Sequence, residues 1–124
     1  MAHLTAGAVL SQVDALLPNQ YTDAEKRRWL TQAEGFVARE VVAPCAGGGE
    51  VAVPDTLADG DALLAPPPYD ELYRHYVESQ IHYANGETER YNNAAAAWNN
   101  GLLTLRDFWF RTHAPRGPAA LRLC

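Results

Sequence analysis

The amino-acid sequence predicts a small all-α protein, a bundle of about four helices with a long irregular loop between the second and third. Apolar residues recur at helical spacing through most of the 124 residues, and capping residues and prolines divide them into segments. Hydrophobic residues make up 48% of the chain, enough for one buried core at this length. We therefore expect a single domain, 1–124, with a helical core at about 5–43 and 68–113, a loop at 44–67 and a C-terminal tail at 114–124.

The first two helices are bounded by start and stop signals. Residues 5–17 carry valines and leucines at helical spacing, and Pro18 follows them. Thr22, with Glu25 three residues later, forms a capping-box pattern that predicts the start of the second helix. Pro44 ends that helix. Its apolar face comprises Trp29, Leu30, Ala33, Phe36, Val37 and Val41.

The segment from Pro44 to Pro68 differs in composition from the rest of the chain. It holds four glycines, five prolines, four acids and no basic residue, which predicts an irregular loop. Loops of this length in small domains are usually functional or disordered. We expect it to be mobile in the free subunit, to dock onto a neighbouring subunit or the tail, and to be dispensable for the helical core. The docking candidates are Val51, Val53, Leu57, Leu63 and Leu64.

Two further helices are expected after the prolines at 66–68. Proline preorganises the first turn, and Asp70 and Glu71 complement the positive end of the helix dipole. The break between the two helices falls either at Asn85-Gly86 or at Asn92-Asn93, and the sequence is compatible with both.

The last helix carries a regular apolar seam that predicts contact with a partner helix. The steps between seam residues are 4, 3, 4, 3 and 4, so we expect the helix to continue through Asn99-Asn100-Gly101. Leu103 and Phe110 form a second stripe, which predicts that the helix is covered on two sides. The seam, assigned to the core or to a subunit interface, comprises Tyr91, Ala95, Trp98, Leu102, Leu105 and Trp109.

Candidate chemistry is confined to two pairs, Glu71–His75 and Glu78–His82, each one helical turn apart. Four such ligands resemble a zinc set, but they are strung along two turns and do not converge, which favours exposed side-chain pairs. The glycines at 47–49 lack the Lys-Ser/Thr of a phosphate-binding loop. We therefore predict no catalytic, cofactor-binding or metal site, no cofactor, and a protein that is not an enzyme.

The charge balance restricts the classes of partner. Ten basic residues against fifteen acidic ones give a formal net charge of −5, which disfavours a protein that grips nucleic acid. No apolar run approaches the ~20 residues that span a bilayer, so we expect no membrane partner. The start, Met1 to Leu4, lacks a basic region followed by an apolar one, and we expect no secretory signal.

Several segments carry a resemblance to a known family: PPYDELYRHY at 67–76, QIHYANGETERYNN at 80–93 and FWFRTH at 108–113. The segment VDALLPNQYTDAEKRRWLTQAEGFVAREV at 13–41 fits the same pattern. Together they resemble the head–tail connector proteins, also called head-completion or adaptor proteins, of tailed phages and prophages. The resemblance covers most of the chain, and the shared motifs are packing motifs without active-site residues.

The resemblance implies a structural virion protein of the neck, present in the host cytoplasm before viral assembly. Its copies would form a ring, commonly twelvefold, beneath the portal, where the ring extends the DNA channel and gives the tail a docking surface. The implied partners are the portal protein, neighbouring copies of the chain, a tail or stopper protein, and DNA that passes without specific binding. Negative charge facing a channel would let DNA slide by repulsion.

An alternative hypothesis is a small helical regulatory or anti-host protein that binds one cellular partner as a monomer or dimer. Portal, protease and major capsid genes beside the coding gene would favour the connector. The sequence leaves open which surface meets the portal or tail and whether the acidic loop faces the channel.

Overall fold

The computed structural model describes residues 2–45 and 51–113, so the predicted tail at 114–124 and the glycines at 47–49 lie outside the described residues. The described part contains four α-helices and no strand beyond an isolated bridge, which confirms the all-α prediction. The helices are α1 (Ala6–Leu16), α2 (Asp23–Val37), α3 (Leu72–Ala84) and α4 (Thr88–Thr112).

Side-chain caps begin the first two helices. The amide of Ala8 donates to the hydroxyl of Thr5 at 3.3 Å, at the start of α1. At the start of α2 the amide of Glu25 donates to Thr22 Oγ1 at 3.1 Å, and the amide of Thr22 donates back to Glu25 Oε1 at 3.3 Å. The predicted capping box is therefore confirmed.

A π-helical turn, Ala38–Val42, continues α2. Its wider hydrogen bond runs from the amide of Ala43 to the carbonyl of Ala38 at 2.9 Å. Val41 and Val42 are buried, whereas Glu40 stays at the surface. π-Helical turns are rare and are found disproportionately at functional sites.

The break between α3 and α4 lies at Asn85-Gly86, and α4 runs unbroken through Asn92-Asn93. Gly86 has φ +76°, a left-handed conformation that glycine adopts without steric cost. The amide of Glu87 then donates to the carbonyl of His82 at 2.9 Å and closes the corner. The sequence offered two positions for the break, and the glycine decides between them.

Glycine also lets α3 and α4 approach closely. A Cβ atom on Gly101 would lie 2.9 Å from Cβ of Leu72, nearer than real Cβ atoms come. This contact explains a glycine in the middle of α4, where helix propensity alone disfavours it. As predicted, the helix continues through Asn99 and Asn100.

Helix α3 lies at the centre and packs against each of the other three helices. Tyr73, Val77 and Ile81 of this helix have no exposed surface. They form one hydrophobic cluster with the inner faces of α1 and α2 and with Trp98 and Leu105 of α4.

Residues 57–65 of the predicted loop belong to this core. The amides of Ala6 and Gly7, at the start of α1, donate to the carbonyls of Asp61 and Asp59 at 2.9 and 3.0 Å. The loop therefore satisfies backbone donors that a helix N-terminus leaves unpaired. The buried side chains of this segment are Leu57, Leu63 and Ala65. The expectation that the helical core does not depend on this loop is thus wrong for 57–65.

The side chain of Arg27 attaches the same segment to α2. Its Nη1 donates to the carbonyl of Leu57 at 2.9 Å, and its Nη2 pairs with the carboxylate of Asp59. The amide of Leu57 donates to the hydroxyl of Thr31 at 3.2 Å. The backbone N–H and C=O of Leu57 are therefore both held by side chains of α2.

A buried Glu34–Tyr73 network fixes the other end of the segment. The Glu34 side chain lies in the core, with the residue 3% exposed, and its Oε2 accepts from the amide of Leu64 at 2.9 Å. The hydroxyl of Tyr73 donates to Glu34 Oε1 at 2.6 Å and accepts from the amide of Ala65 at 3.0 Å. Burial raises the pKa of Glu34 above its ordinary value, and the hydrogen bonds from Tyr73 and Leu64 partly counter this rise.

Candidate functional site

The two glutamate–histidine pairs do not form a shared site. Arg74 donates to both oxygens of Glu78 at 3.1 and 3.2 Å, whereas Nδ1 of His75 lies 4.0 Å from that carboxylate. His82 instead lies 2.8 Å from Glu87, and this hydrogen bond lowers the pKa of Glu87. Within 2–45 and 51–113 no three potential metal ligands cluster together.

The seam of α4 divides into a buried part and a half-buried part. Trp98 and Leu105 are buried in the core, with Trp98 8% exposed. Tyr91, Leu102 and Trp109 are half-buried. The side of α4 that packs on α3 is thus the side on which the steps of 4 and 3 place the seam.

The loop residues predicted to dock onto a partner differ in how deeply they are buried. Leu57 and Leu63 are buried in the chain's own core and are unavailable to a partner, so the docking prediction is wrong for both. Val51, Val53 and Leu64 are half-buried. Val53 and Leu64 line a shallow pocket of about 220 Å³ beside Glu34.

A larger apolar cleft opens between the end of α2 and the middle of α4. Phe36 is 45% exposed and Leu103 is 49% exposed, although both are large hydrophobic residues. The prediction that α4 is covered on two sides is therefore wrong at Leu103. The cleft has a volume of about 310 Å³, and we call it the α2–α4 cleft; it is lined by Phe36, Glu40, Trp98, Asn99, Leu102, Leu103 and Arg106.

The packing of α3 creates this cleft. Helices α2 and α4 both pack on α3, and the π-helical turn brings the end of α2 against α4. Three aromatic rings meet at this point. The ring centroid of Phe36 lies 6.0 Å from that of Tyr76 and 6.1 Å from that of Trp98, and the centroids of Tyr76 and Trp98 are 5.0 Å apart. Aromatic pairs prefer such tilted and edge-on contacts, and Phe36 and Trp98 of this cluster both line the cleft.

Few of the described residues that line the α2–α4 cleft are charged. Glu40 from the π-helical turn and Arg106 from α4 are its two charged lining residues. Residues 91–105 of α4 include no charged residue, although 20% of the chain is charged. An exposed helix face is normally rich in charge, and an uncharged one with apolar side chains is typical of an interface. The arrangement suits burial of an apolar group from a partner.

Sequence reasoning assigned Phe36 and Leu103 to covered faces and did not identify the cleft. The usable signal was the absence of charge over 91–105, which covers about four helical turns. The missing charge predicts that α4 is in contact with other helices, but it does not show which part of its surface is covered by this chain and which by a partner.

No family model, curated protein or solved structure matches this chain. None of the helices in the described ranges is long and apolar enough to cross a membrane.

Proposed function

We propose that the protein is a structural assembly subunit that binds its partners through the α2–α4 cleft, as a head–tail connector of a tailed-phage virion would. The observation that carries the proposal is the apolar cleft beside an uncharged face of α4. Exposed apolar surface of this kind marks a protein-interaction site when it is contiguous and bordered by polar residues.

The composition of the cleft supports a specific protein contact. Phe36 and Leu103 offer apolar area, and Trp98 forms a buried aromatic wall beside them. Aromatic residues are enriched at the centres of interfaces, where they contribute most of the binding energy. Glu40 and Arg106, which also line the cleft, would fix the orientation of the partner.

In this proposal the copies form a ring in the virion neck, beneath the portal, and the ring meets a tail or stopper protein on its other side. The net charge of −5 suits a subunit beside a DNA channel, because repulsion keeps passing DNA from adhering. The resemblance of 67–76, 80–93 and 108–113 to connector proteins supports this assignment.

Binding to the portal protein encoded in the same genome tests the proposal. Leu103→Arg places a charge in the cleft at an exposed position and should weaken portal binding roughly tenfold or more, since about 1.4 kcal/mol of lost burial suffices. Gln12→Arg, on the exposed side of α1, is the matched control and should bind like the wild type. Complexes would be measured by light scattering after gel filtration, with circular dichroism as the check on folding.

Two outcomes would contradict the proposal. A folded Leu103→Arg variant that binds the portal like the wild type would exclude the cleft as the contact. A wild-type chain that does not bind the portal, and instead forms a stoichiometric complex with one host protein, would favour the regulatory alternative.

A further inference from the structure

The chain contains two Asn-Gly pairs, Asn85-Gly86 and Asn100-Gly101, in different surroundings. Asparagine is chemically labile, and a following glycine leaves the next backbone nitrogen unshielded because it has no side chain. The first pair forms the exposed corner between α3 and α4, whereas the second lies in the interior of α4. The same dipeptide therefore occurs once at a helix end and once inside a helix.

The reaction to which such a pair is prone is deamidation. The backbone nitrogen of the glycine attacks the side-chain amide carbon of the asparagine, and the new C–N bond closes a succinimide ring. The bond from that carbon to Nδ2 breaks, and the nitrogen leaves as ammonia with the proton that the glycine nitrogen gives up. A water molecule then opens the ring and leaves aspartate or isoaspartate. The attack requires the backbone to turn out of the helical conformation and the glycine N–H to leave its hydrogen bond.

The packing of α4 opposes this reaction at Asn100. The helix runs without a break from Thr88 to Thr112, so the amide of Gly101 belongs to the helical hydrogen-bond ladder. The backbone of Gly101 also lies so close to α3 that a Cβ there would be 2.9 Å from Cβ of Leu72. Turning this backbone requires α4 to break in its interior and to separate from α3, which is an opening comparable to unfolding of the domain.

The corner at Asn85 is restrained much less. Asn85 follows the last residue of α3, and Gly86, with φ +76°, already lies outside the helical conformation. The amide of Gly86 donates to the carbonyl of Tyr83 at 3.1 Å, and both Asn85 and Gly86 are exposed. Such a corner can open locally while α3 and α4 stay packed, because helix ends have low local stability.

Hydrogen bonds to its side chain are what holds Asn85 back. The hydroxyl of Tyr21 donates to Asn85 Oδ1 at 2.6 Å, and Asn85 Nδ2 donates to Glu87 Oε1 at 3.3 Å. The first of these bonds joins the connection between α1 and α2 to the corner between α3 and α4. The side-chain amide must rotate away from both partners before its carbon can meet the nitrogen of Gly86.

We propose that Asn85 is a site of spontaneous deamidation whose rate is limited by the hydrogen bond from Tyr21, and that α4 protects Asn100. The product places a carboxylate beside that of Glu87, at the C-terminal end of α3, where the helix dipole disfavours negative charge. Deamidation therefore weakens the corner between α3 and α4 as the protein ages. The inference goes beyond the proposed function and does not depend on it.

Peptide mapping by mass spectrometry measures both rates in the same molecule. The folded chain is incubated in mildly alkaline buffer made with heavy-oxygen water, so only rings that open during the incubation incorporate the label. We expect Asn85 to convert at least about tenfold faster than Asn100. In guanidinium chloride the two sites should convert at similar rates, which assigns the difference to the fold and not to the neighbouring residues.

Two pairs of variants test the restraint and the consequence. Tyr21→Phe removes the hydroxyl and should speed conversion of Asn85 about threefold to tenfold without affecting Asn100. Tyr76→Phe, whose hydroxyl donates to Gln32, is the matched control and should convert like the wild type. Asn85→Asp, which reproduces one product, should melt at a lower temperature than Asn92→Asp, the same change at an exposed position of α4.

Three results would overturn the proposal. Equal rates at Asn85 and Asn100 in the folded chain would show that the corner is no more reactive than the helix. A folded Tyr21→Phe variant that converts at the wild-type rate would exclude Tyr21 as the restraint. Equal melting temperatures for Asn85→Asp and Asn92→Asp would show that the new carboxylate does not weaken the corner.

Discussion

Replacing Tyr73 by Phe removes one hydroxyl from the buried network and leaves two groups without their partner. Glu34 Oε1 loses its donor, and the amide of Ala65 loses its acceptor. A hydrogen bond to a charged group contributes about 1.5–3 kcal/mol, and an unpaired buried N–H costs about 1–3 kcal/mol. Allowing for relaxation of the loop, we expect Tyr73→Phe to lower the free energy of unfolding by about 3 kcal/mol at pH 7, a large share of the total for a small domain.

The stability lost in Tyr73→Phe should depend on pH, and the Glu34–Tyr73 network determines whether it grows or shrinks as the pH rises. Burial raises the pKa of Glu34 in the folded protein, and the Tyr73 hydroxyl opposes that rise. A group whose folded pKa lies above its unfolded value stabilises the fold below the unfolded pKa, and this contribution disappears as the pH rises through the folded pKa. Without the hydroxyl the pKa of Glu34 rises further, so the variant loses more stability than the wild type between about pH 4 and neutrality. The cost of Tyr73→Phe should therefore fall to roughly half at pH 4.

Urea denaturation at both pH values measures the effect, and Tyr76→Phe is the control. The hydroxyl of Tyr76 donates to Gln32 at 3.1 Å in an exposed setting, so its removal should cost less than about 0.5 kcal/mol at either pH. A Tyr73→Phe variant as stable as Tyr76→Phe would show that the hydroxyl does not hold Glu34 and the loop. An equal loss at pH 4 and pH 7 would refute the coupling to Glu34.

Two further substitutions test the packing of the loop and of α4. Leu63→Ala should lower the free energy of unfolding by about 3 kcal/mol, because Leu63 is buried in the core; wild-type stability in urea would contradict the assignment of 57–65 to the core. Gly101→Ala should cost about 1–3 kcal/mol, since its Cβ would meet Leu72 at 2.9 Å; a higher melting temperature, as helix propensity alone predicts, would show that α3 and α4 can separate freely.

Features set by neighbouring residues could be predicted from the sequence. The capping box joins Thr22 and Glu25 over three positions, so its chemistry is visible in a short window. The seam of α4 likewise places Trp98 and Leu105 on one side of a helix by spacing alone. These interactions depend on local geometry that the order of residues determines.

The attachment of the loop could not be predicted in this way. Its average composition, rich in glycine, proline and acids, is that of a flexible segment. Its hydrogen bonds, however, run to residues distant in the sequence, such as from the amide of Leu63 to the carbonyl of Leu4 at 2.9 Å. The leucines at 57 and 63 have no periodic pattern to reveal which helix covers them. Leu57 and Leu63 are buried only because α1, α2 and α3 pack together around them in the folded chain.

The cleft could not be predicted for a related reason. An apolar residue at a helix surface position has the same sequence signature whether the chain's own helix or a partner covers it. Leu103 fits the second stripe of α4 equally well in both cases, and in the folded chain it stays 49% exposed, as does Phe36 at 45%, whereas Val41 and Val42 are buried. Apolar side chains that stay exposed once the core is complete are therefore the ones that indicate a partner.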